Sequence, residues 1–285
     1  MEKTKTGLVL EGGAMRGMYT AGVLDVLMEE KIQTDGVIGV SAGAVFGCNY
    51  KSGQIGRTLR YNLQFCGDKR YGSIHSLIKT GDIYDVEFCY HEIPEVIDPF
   101  DNEAFAKNPA DFYVVCTDVE TGKAVYHKCT DCGRADLKWM QASASMPLVS
   151  KIVETDGYKL LDGGIADSIS IMWFRRQGYK KNLVILTRPE GYRKKKMKFQ
   201  KALNLMLRHY PNLAKAMARR YKVYNRTLDK LEELSKKGEV MILQPSRLIE
   251  VSRLEKDPEK LKALYQLGRE DAKRKLAEIR AFLNQ

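Results

Sequence analysis

The feature that most restricts this chain is a pair of strand-to-helix turns near its start. Thr6–Leu10 (TGLVL) is a short apolar run closed by Glu11-Gly12-Gly13. Met15 to Glu30 then carries helical periodicity through Met18, Ala21, Gly22, Leu24 and Val26 to Met28. Gly36–Val40 (GVIGV) is a second apolar run, followed by Ser41-Ala42-Gly43-Ala44 and by helical character from Val45. Two such units joined by short connections predict a parallel sheet with right-handed crossovers. Phe112–Thr117 (FYVVCT) and Leu183–Thr187 (LVILT) read as further buried strands, because both are continuous apolar runs of strand length. Between them Glu120-Thr121-Gly122 and Thr155-Asp156-Gly157 read as hairpin turns, and Leu137 to Ser145 as a helix stopped by Pro147. The fold class is α/β with a mostly parallel sheet and some antiparallel additions.

After Pro189 the texture becomes helical. Phe199, Leu203, Met206, Leu207 and Tyr210 fall at helical spacing, as do Leu213, Met217, Tyr221, Tyr224, Leu228 and Leu231, with Pro211 between the two sets. Val240–Leu243 reads as one returning strand and Pro258–Leu283 as a charged amphipathic helix.

Composition narrows the class further. At 285 residues, 44% of them hydrophobic and 29% charged, the chain can bury a substantial core and does not resemble a disordered or collagen-like sequence. No stretch approaches the roughly 18 apolar residues of a membrane span, and Met1–Thr6 (MEKTKT) lacks the apolar core of a secretory signal, so a cytoplasmic protein is expected. Six scattered cysteines fit reduced thiols. Cys129 and Cys132 form a C-x-x-C pair near His127 and Cys116, but a structural zinc site usually shows two such pairs, and a plain turn is the simpler reading.

The sharpest chemical signal is Gly39-Val40-Ser41-Ala42-Gly43, a G-x-S-x-G pentapeptide where an apolar strand turns straight into a helix. A serine held on such a tight turn needs small neighbours, and its hydroxyl projects above the carboxyl ends of the strands. On the pentapeptide alone, Ser41 is equally well a helix N-cap. Glu11 to Gly17 (EGGAMRG) offers backbone N–H groups to an anion, either a phosphate or a developing oxyanion. A nucleotide fits less well: Ala14 occupies the middle position of the dinucleotide G-x-G-x-x-G pattern, and the second strand ends in Ser41 rather than in a ribose-binding carboxylate. None of His75, His91, His127 and His209 sits in a convincing setting for a base, although His209 satisfies the Ser…Asp…His chain order. Tyr158–Leu161 runs instead into Asp162-Gly163-Gly164, where two glycines leave a carboxylate open; an ordinary turn aspartate is the alternative.

Glycine-rich turn, G-x-S-x-G and D-G-G, in this order and each after a strand, resemble the patatin-like phospholipase family. Ala142-Ser143-Ala144-Ser145-Met146-Pro147 resembles that family's alanine- and serine-rich helix ending in proline. The resemblance spans roughly Gly7 to Arg188. It implies a three-layer α/β/α fold and a serine acyl hydrolase without metal or organic cofactor. Ser41 is then the nucleophile, Asp162 its base, and the N–H groups of Gly12, Gly13 and Ala14 the oxyanion hole, with Arg16, Gly17, Gly39, Gly43 and Gly163 shaping the loops. Residues 1–190 become the catalytic domain and 191–285 a basic helical C-terminal region packed on it. The chain departs from the family where Glu11 and Ala14 replace the usual Asp and Gly, and where Asp167 and Ser170 replace Asn and Pro; Asp167 is the rival acid.

The formal charge of +11 is concentrated. Tyr192 to Arg226 carries twelve Lys or Arg and no Asp or Glu, leaving 35 basic and 36 acidic residues elsewhere. With a lipid or acyl-ester substrate, this segment (residues 192–226) fits peripheral contact with an anionic membrane; the plainer reading packs its apolar face on the sheet. A nucleic-acid-binding protein with a catalytically idle α/β domain is the alternative function, and no nucleic-acid motif accompanies the charge, so no nucleic acid is expected.

Overall fold

Gly7 to Leu10 and Gly36 to Val40 are apolar without alternation because both of their faces are covered. Every one of these residues is buried, as parallel strands at the centre of a layered domain must be. They belong to β1 (Lys5–Leu10) and β2 (Gly36–Val40), which pair in parallel. A single 3-10 turn (Ala14–Gly17) and α1 (Met18–Glu29) follow β1, and α2 (Ala42–Ser52) follows β2. The computed structural model describes residues 4–198 and 200–283. Phe199 and Met1–Lys3, to which the sequence reading refers, lie outside the described residues.

The next stretch holds α3 (Arg57–Phe65), α4 (Ile74–Thr80), a π-helix (Phe88–Ile97) and α5 (Asn102–Lys107). Then come β3 (Asp111–Asp118), β4 (Ala124–Cys129), α6 (Arg134–Ala144), β5 (Val153–Thr155), β6 (Tyr158–Asp162), α7 (Ile171–Arg176) and β7 (Tyr179–Ile185). The C-terminal part contributes α8 (Gln200–Met206), α9 (Pro211–Lys236), β8 (Val240–Leu243), α10 (Pro258–Arg274) and α11 (Leu276–Leu283). The periodicity from Met15 to Glu30 thus begins as a 3-10 turn. The single C-terminal helix expected over Pro258–Leu283 breaks at Lys275 into two.

The strands form one sheet in the order β5-β6-β3-β2-β1-β7-β8, with β4 also on β3. Pairing is parallel among β3, β2, β1, β7 and β8, and antiparallel where β4, β5 and β6 join. Alternate residues of the central strands enter different cores. Leu8, Leu10 and Val37 pack with residues of α1, α2, α6 and α10, whereas Val9, Ile38 and Val40 pack with Phe174 of α7 and Tyr224, Leu231 and Leu234 of α9. The result is helix, sheet, helix in three layers, the α/β class read from the sequence. Among the described residues, no helix is long and apolar enough to cross a membrane.

Candidate active site

A strand has two edges, and β3 uses one of them for two partners in succession. β4 runs along one edge from Phe112 to Thr117. On the other, β2 pairs with Asp111 to Val115 and β6 takes over from Cys116 to Asp118. Val40, the last residue of β2, lies opposite Val115, and Asp162, the last of β6, lies opposite Cys116. Ser41 and Asp162, far apart in the chain, therefore meet at one point of the sheet.

Side chains lock this junction. The Ser143 hydroxyl donates to the Val115 carbonyl (2.6 Å) and accepts from the Ser41 amide (2.8 Å), so it bridges the end of β2 to β3. The Asp162 amide donates to the Ser145 carbonyl at 2.8 Å. These bonds give the serine-rich end of α6 a physical reason. Glycine is required where the turns crowd other backbone: a Cβ on Gly163 would lie 2.1 Å from the Val115 oxygen, and one on Gly43 2.5 Å from the Leu10 oxygen.

Ser41 stands at the N-cap position of α2 but makes no side-chain cap bond, which removes the N-cap alternative. Its backbone is left-handed (φ 53°, ψ −124°), a conformation that costs a non-glycine residue on the order of 1–3 kcal/mol. The glycine turn after β1 passes close by, for a Cβ on Gly12 would sit 3.0 Å from the Ser41 Cβ. The amides of Gly12 and Gly13 donate to no group among the described residues. Ala14 also has positive φ, 49°, so alanine holds the strained position where the resembling loops have glycine. Glu11 is buried and fully engaged: Oε2 accepts from the Thr187 amide (2.7 Å) and hydroxyl (3.0 Å), and Oε1 from the Tyr224 hydroxyl of α9 (2.7 Å).

Asp162 Oδ1 accepts from the Gly164 amide at 2.7 Å, so the carboxylate does shape its turn, yet the same side chain faces a cavity. Burial raises its pKa above 3.8, against the opposing pull of Arg220, the Gly164 amide and Arg253. Asp167 does not line that cavity; its Oδ2 accepts from the Tyr126 hydroxyl (2.9 Å). The four histidines line neither cavity described below. His209 is exposed, and His127 stacks on Trp139 with Nε2 2.7 Å from Asp136 Oδ1. The ligand atoms of His127, Cys129 and Asp136 lie within 4.8 Å of one another. Asp136 Oδ2 also accepts amides of the Thr130–Cys132 turn, and Cys132 Sγ lies 3.9 Å from Met140 Sδ.

Two cavities meet at Ser41. One, about 110 Å³, is apolar and lined by Phe46, Tyr61, Tyr71, Tyr90, Phe100 and Met140 among others. The second, about 460 Å³, is lined by Glu11 to Ala14, Asp162 and a set of cations: Arg16, Arg188, Lys194, Arg220 and Arg253. Ala14, Ser41 and Met146 line both. Ser41, Asp162 and the glycine turn are legible in the sequence, whereas the aromatic wall from α3 and the π-helix is not, and neither are Arg188, Arg220 and Arg253 as lining residues. A hint was present in the charge block, whose members at 194 and 220 turn inward.

Residues 8–173 match a family model described as "Patatin-like phospholipase", and residues 210–284 match one described as "Domain of unknown function (DUF6363)". An uncharacterized Escherichia coli protein, YjjU, is 28% identical over 194 residues, 65% of this chain and 52% of that protein. Lysophospholipase nte1 of Emericella nidulans is 28% identical over 177 residues, 60% of this chain but 11% of that protein. The solved structure of VipD from Legionella pneumophila superposes with a TM-score of 0.45 at 11% identity, covering 99% of this chain and 67% of that one. The chain spans about half the length, or less, of the curated relatives it matches. With the family model covering more than half of its residues, including both turns and D-G-G, the chain belongs to the patatin-like phospholipase family.

Proposed function

We propose that this protein is a serine acyl-ester hydrolase that cleaves lipid acyl esters with Ser41 and Asp162. One observation carries the reading: β3 brings the end of β2 and the end of β6 together, so Ser41 and Asp162 open into one cavity. Ser41 Oγ attacks the ester carbonyl as its proton passes to Asp162, and the resulting oxyanion is met by the N–H groups of Gly12, Gly13 and Ala14. Collapse expels the alcohol, which takes the proton back from Asp162, and leaves an acyl-Ser41 ester. Water then attacks that ester, losing its proton to Asp162, and the acid leaves as the proton returns to Ser41. A raised pKa makes Asp162 a better base than an ordinary carboxylate. The family membership and the name of the nte1 relative support a lipid ester as substrate. The same reading extends to the surface, where the exposed cations of residues 192–226 contact an anionic membrane.

The test is intact-mass labelling with a fluorophosphonate, in which Ser41 Oγ displaces fluoride at phosphorus. Wild-type protein is expected to gain one adduct that Ser41→Ala abolishes. Asp162→Asn should slow it by about 10²-fold or more, the weight of a general base. Absence of an adduct on folded wild-type protein would sink the hydrolase reading.

A further inference from the structure

Side chains alternate along a strand, so His127 and Cys129, two residues apart on β4, project from one face, the one that packs on α6. Asp136 stands opposite them in the first turn of that helix. A ring nitrogen of His127, Cys129 Sγ and a carboxylate oxygen of Asp136 all lie within 4.8 Å of one another. Two of the three groups are held in place by neighbours. Asp136 Oδ2 is fixed by the amides of Thr130, Asp131 and Cys132 (2.8, 3.2 and 2.9 Å), which leaves Oδ1 toward His127 Nε2. The His127 ring stacks on Trp139 at 4.5 Å, and the Trp139 indole N–H is anchored in turn on Asp156 Oδ2 at 2.7 Å. The third group has no such tie. Cys129 is 3% exposed, yet among the described residues its thiol makes no hydrogen bond, whereas each of the other five cysteines has an acceptor for its own.

We propose that His127 Nε2, Cys129 Sγ and Asp136 Oδ1 bind one zinc ion, with water in the fourth position on the partly exposed side of His127. Tetrahedral bonds of about 2.0–2.3 Å set neighbouring ligand atoms about 3.3–3.7 Å apart, inside the span these three atoms already occupy. Nitrogen, sulfur and oxygen donors together suit zinc and not calcium or magnesium, which take oxygen. On binding, the Cys129 proton leaves for solvent and His127 carries its own on Nδ1, so that Sγ and Nε2 each offer a lone pair. The site thus takes one cysteine of the C-x-x-C pair and the histidine before it, while Cys132 lines the apolar cavity. The ion joins β4 to the start of α6, and the other end of that helix holds the Ser41–Asp162 junction through Ser143 and Ser145. None of the three ligands lines a cavity at Ser41, so the ion is structural and the proposal stands apart from the hydrolase reading.

The test titrates the full-length protein, stripped with a chelator and kept reduced, with cobalt and then zinc. Cobalt should add a thiolate-to-metal charge-transfer band in the near ultraviolet that saturates at one equivalent, and zinc should displace it. Because Trp139 stacks on His127, cobalt should also quench tryptophan fluorescence. Zinc at about a hundred times its Kd should raise Tm by about 5 °C, and calcium should not. Cys129→Ser should abolish the charge-transfer band and weaken zinc at least about tenfold, the least that even an outer-shell partner commonly costs. Cys132→Ser should keep the band. If Cys129→Ser misfolds, His127→Gln gives a second reading: the thiolate band persists at high cobalt, with at least about a tenfold loss of affinity.

A wild-type protein without the band at saturating cobalt would overturn the site. So would a band that survives in Cys129→Ser, which would mark adventitious metal on another thiol, or a Tm that calcium raises as much as zinc does. Loss of the band in Cys132→Ser with its retention in Cys129→Ser would assign the wrong cysteine and overturn the proposal as stated.

Discussion

The carboxylate of Asp162 lies at the end of β6 among buried strand residues, and burial raises its pKa above 3.8 despite Arg220, the Gly164 amide, Arg253 and Lys194. A carboxyl group whose folded-state pKa exceeds its unfolded value stabilises the fold below the unfolded pKa. That contribution is lost as pH rises through the folded value. At neutral pH the ionised Asp162 is thus a cost to the fold, as expected of a group kept for the proposed chemistry. Asparagine keeps an oxygen for the Gly164 amide and removes the charge. Asp162→Asn should therefore melt at a higher temperature than wild type at pH 7, with the gap closing as pH falls toward 3. Thermal unfolding across that range decides the matter, and a lower Tm at pH 7 would mean that the surrounding cations need this charge. The acid limb of kcat/KM should likewise lie above the ordinary aspartate range.

At the scale of elements, α9 is tied to the glycine turn after β1 by a buried hydrogen bond, the Tyr224 hydroxyl on Glu11 Oε1. Tyr224→Phe leaves that carboxylate oxygen without its donor, at about 1–3 kcal/mol. With about 2–4 °C per kcal/mol for a domain of this size, a fall of several degrees in Tm is expected. An unchanged Tm would show that α9 docks through its apolar contacts, the Tyr224 ring, Leu231 and Leu234 among them, without help from this hydrogen bond. This contact was hidden in the sequence, where Glu11 reads only as a departure from aspartate; its partner stands 213 positions later. What was legible was local: apolar runs of strand length, glycines where backbone crowds backbone, and a serine between small residues. The helices from Arg57 to Lys107 were not, because they are short, and the π-helix contains Pro94 and does not follow the 3.6-residue period. Nor was the division of one β3 edge between β2 and β6. Strand register is set by long-range pairing, and it is what makes Ser41 and Asp162 neighbours.

Across the whole molecule the positive charge has two destinations. Lys194 and Arg220 turn into the cavity, whereas Lys195, Lys196, Lys198, Lys201, Arg208, Lys215, Arg219, Lys222 and Arg226 are exposed. The apolar side of the segment is divided too. Leu203, Leu207, Leu213 and Tyr224 are buried, but Leu205 and Met206 are 70% and 61% exposed among those cations. Apolar tips set in a basic field suit an anionic lipid surface, where each nearby cation contributes about 1 kcal/mol. The protein should co-sediment with phosphatidylglycerol vesicles at low ionic strength and much less with phosphatidylcholine. Raising the salt to 1 M, where the screening length falls to about 3 Å, should release it. Leu205→Glu with Met206→Glu should weaken binding at low salt while leaving fluorophosphonate labelling of Ser41 in dilute solution in place, because neither residue lines the cavity. Binding that ignores lipid charge and salt would instead leave the exposed cations as a solvated face, and confine this protein's use of positive charge to the cavity beside Ser41.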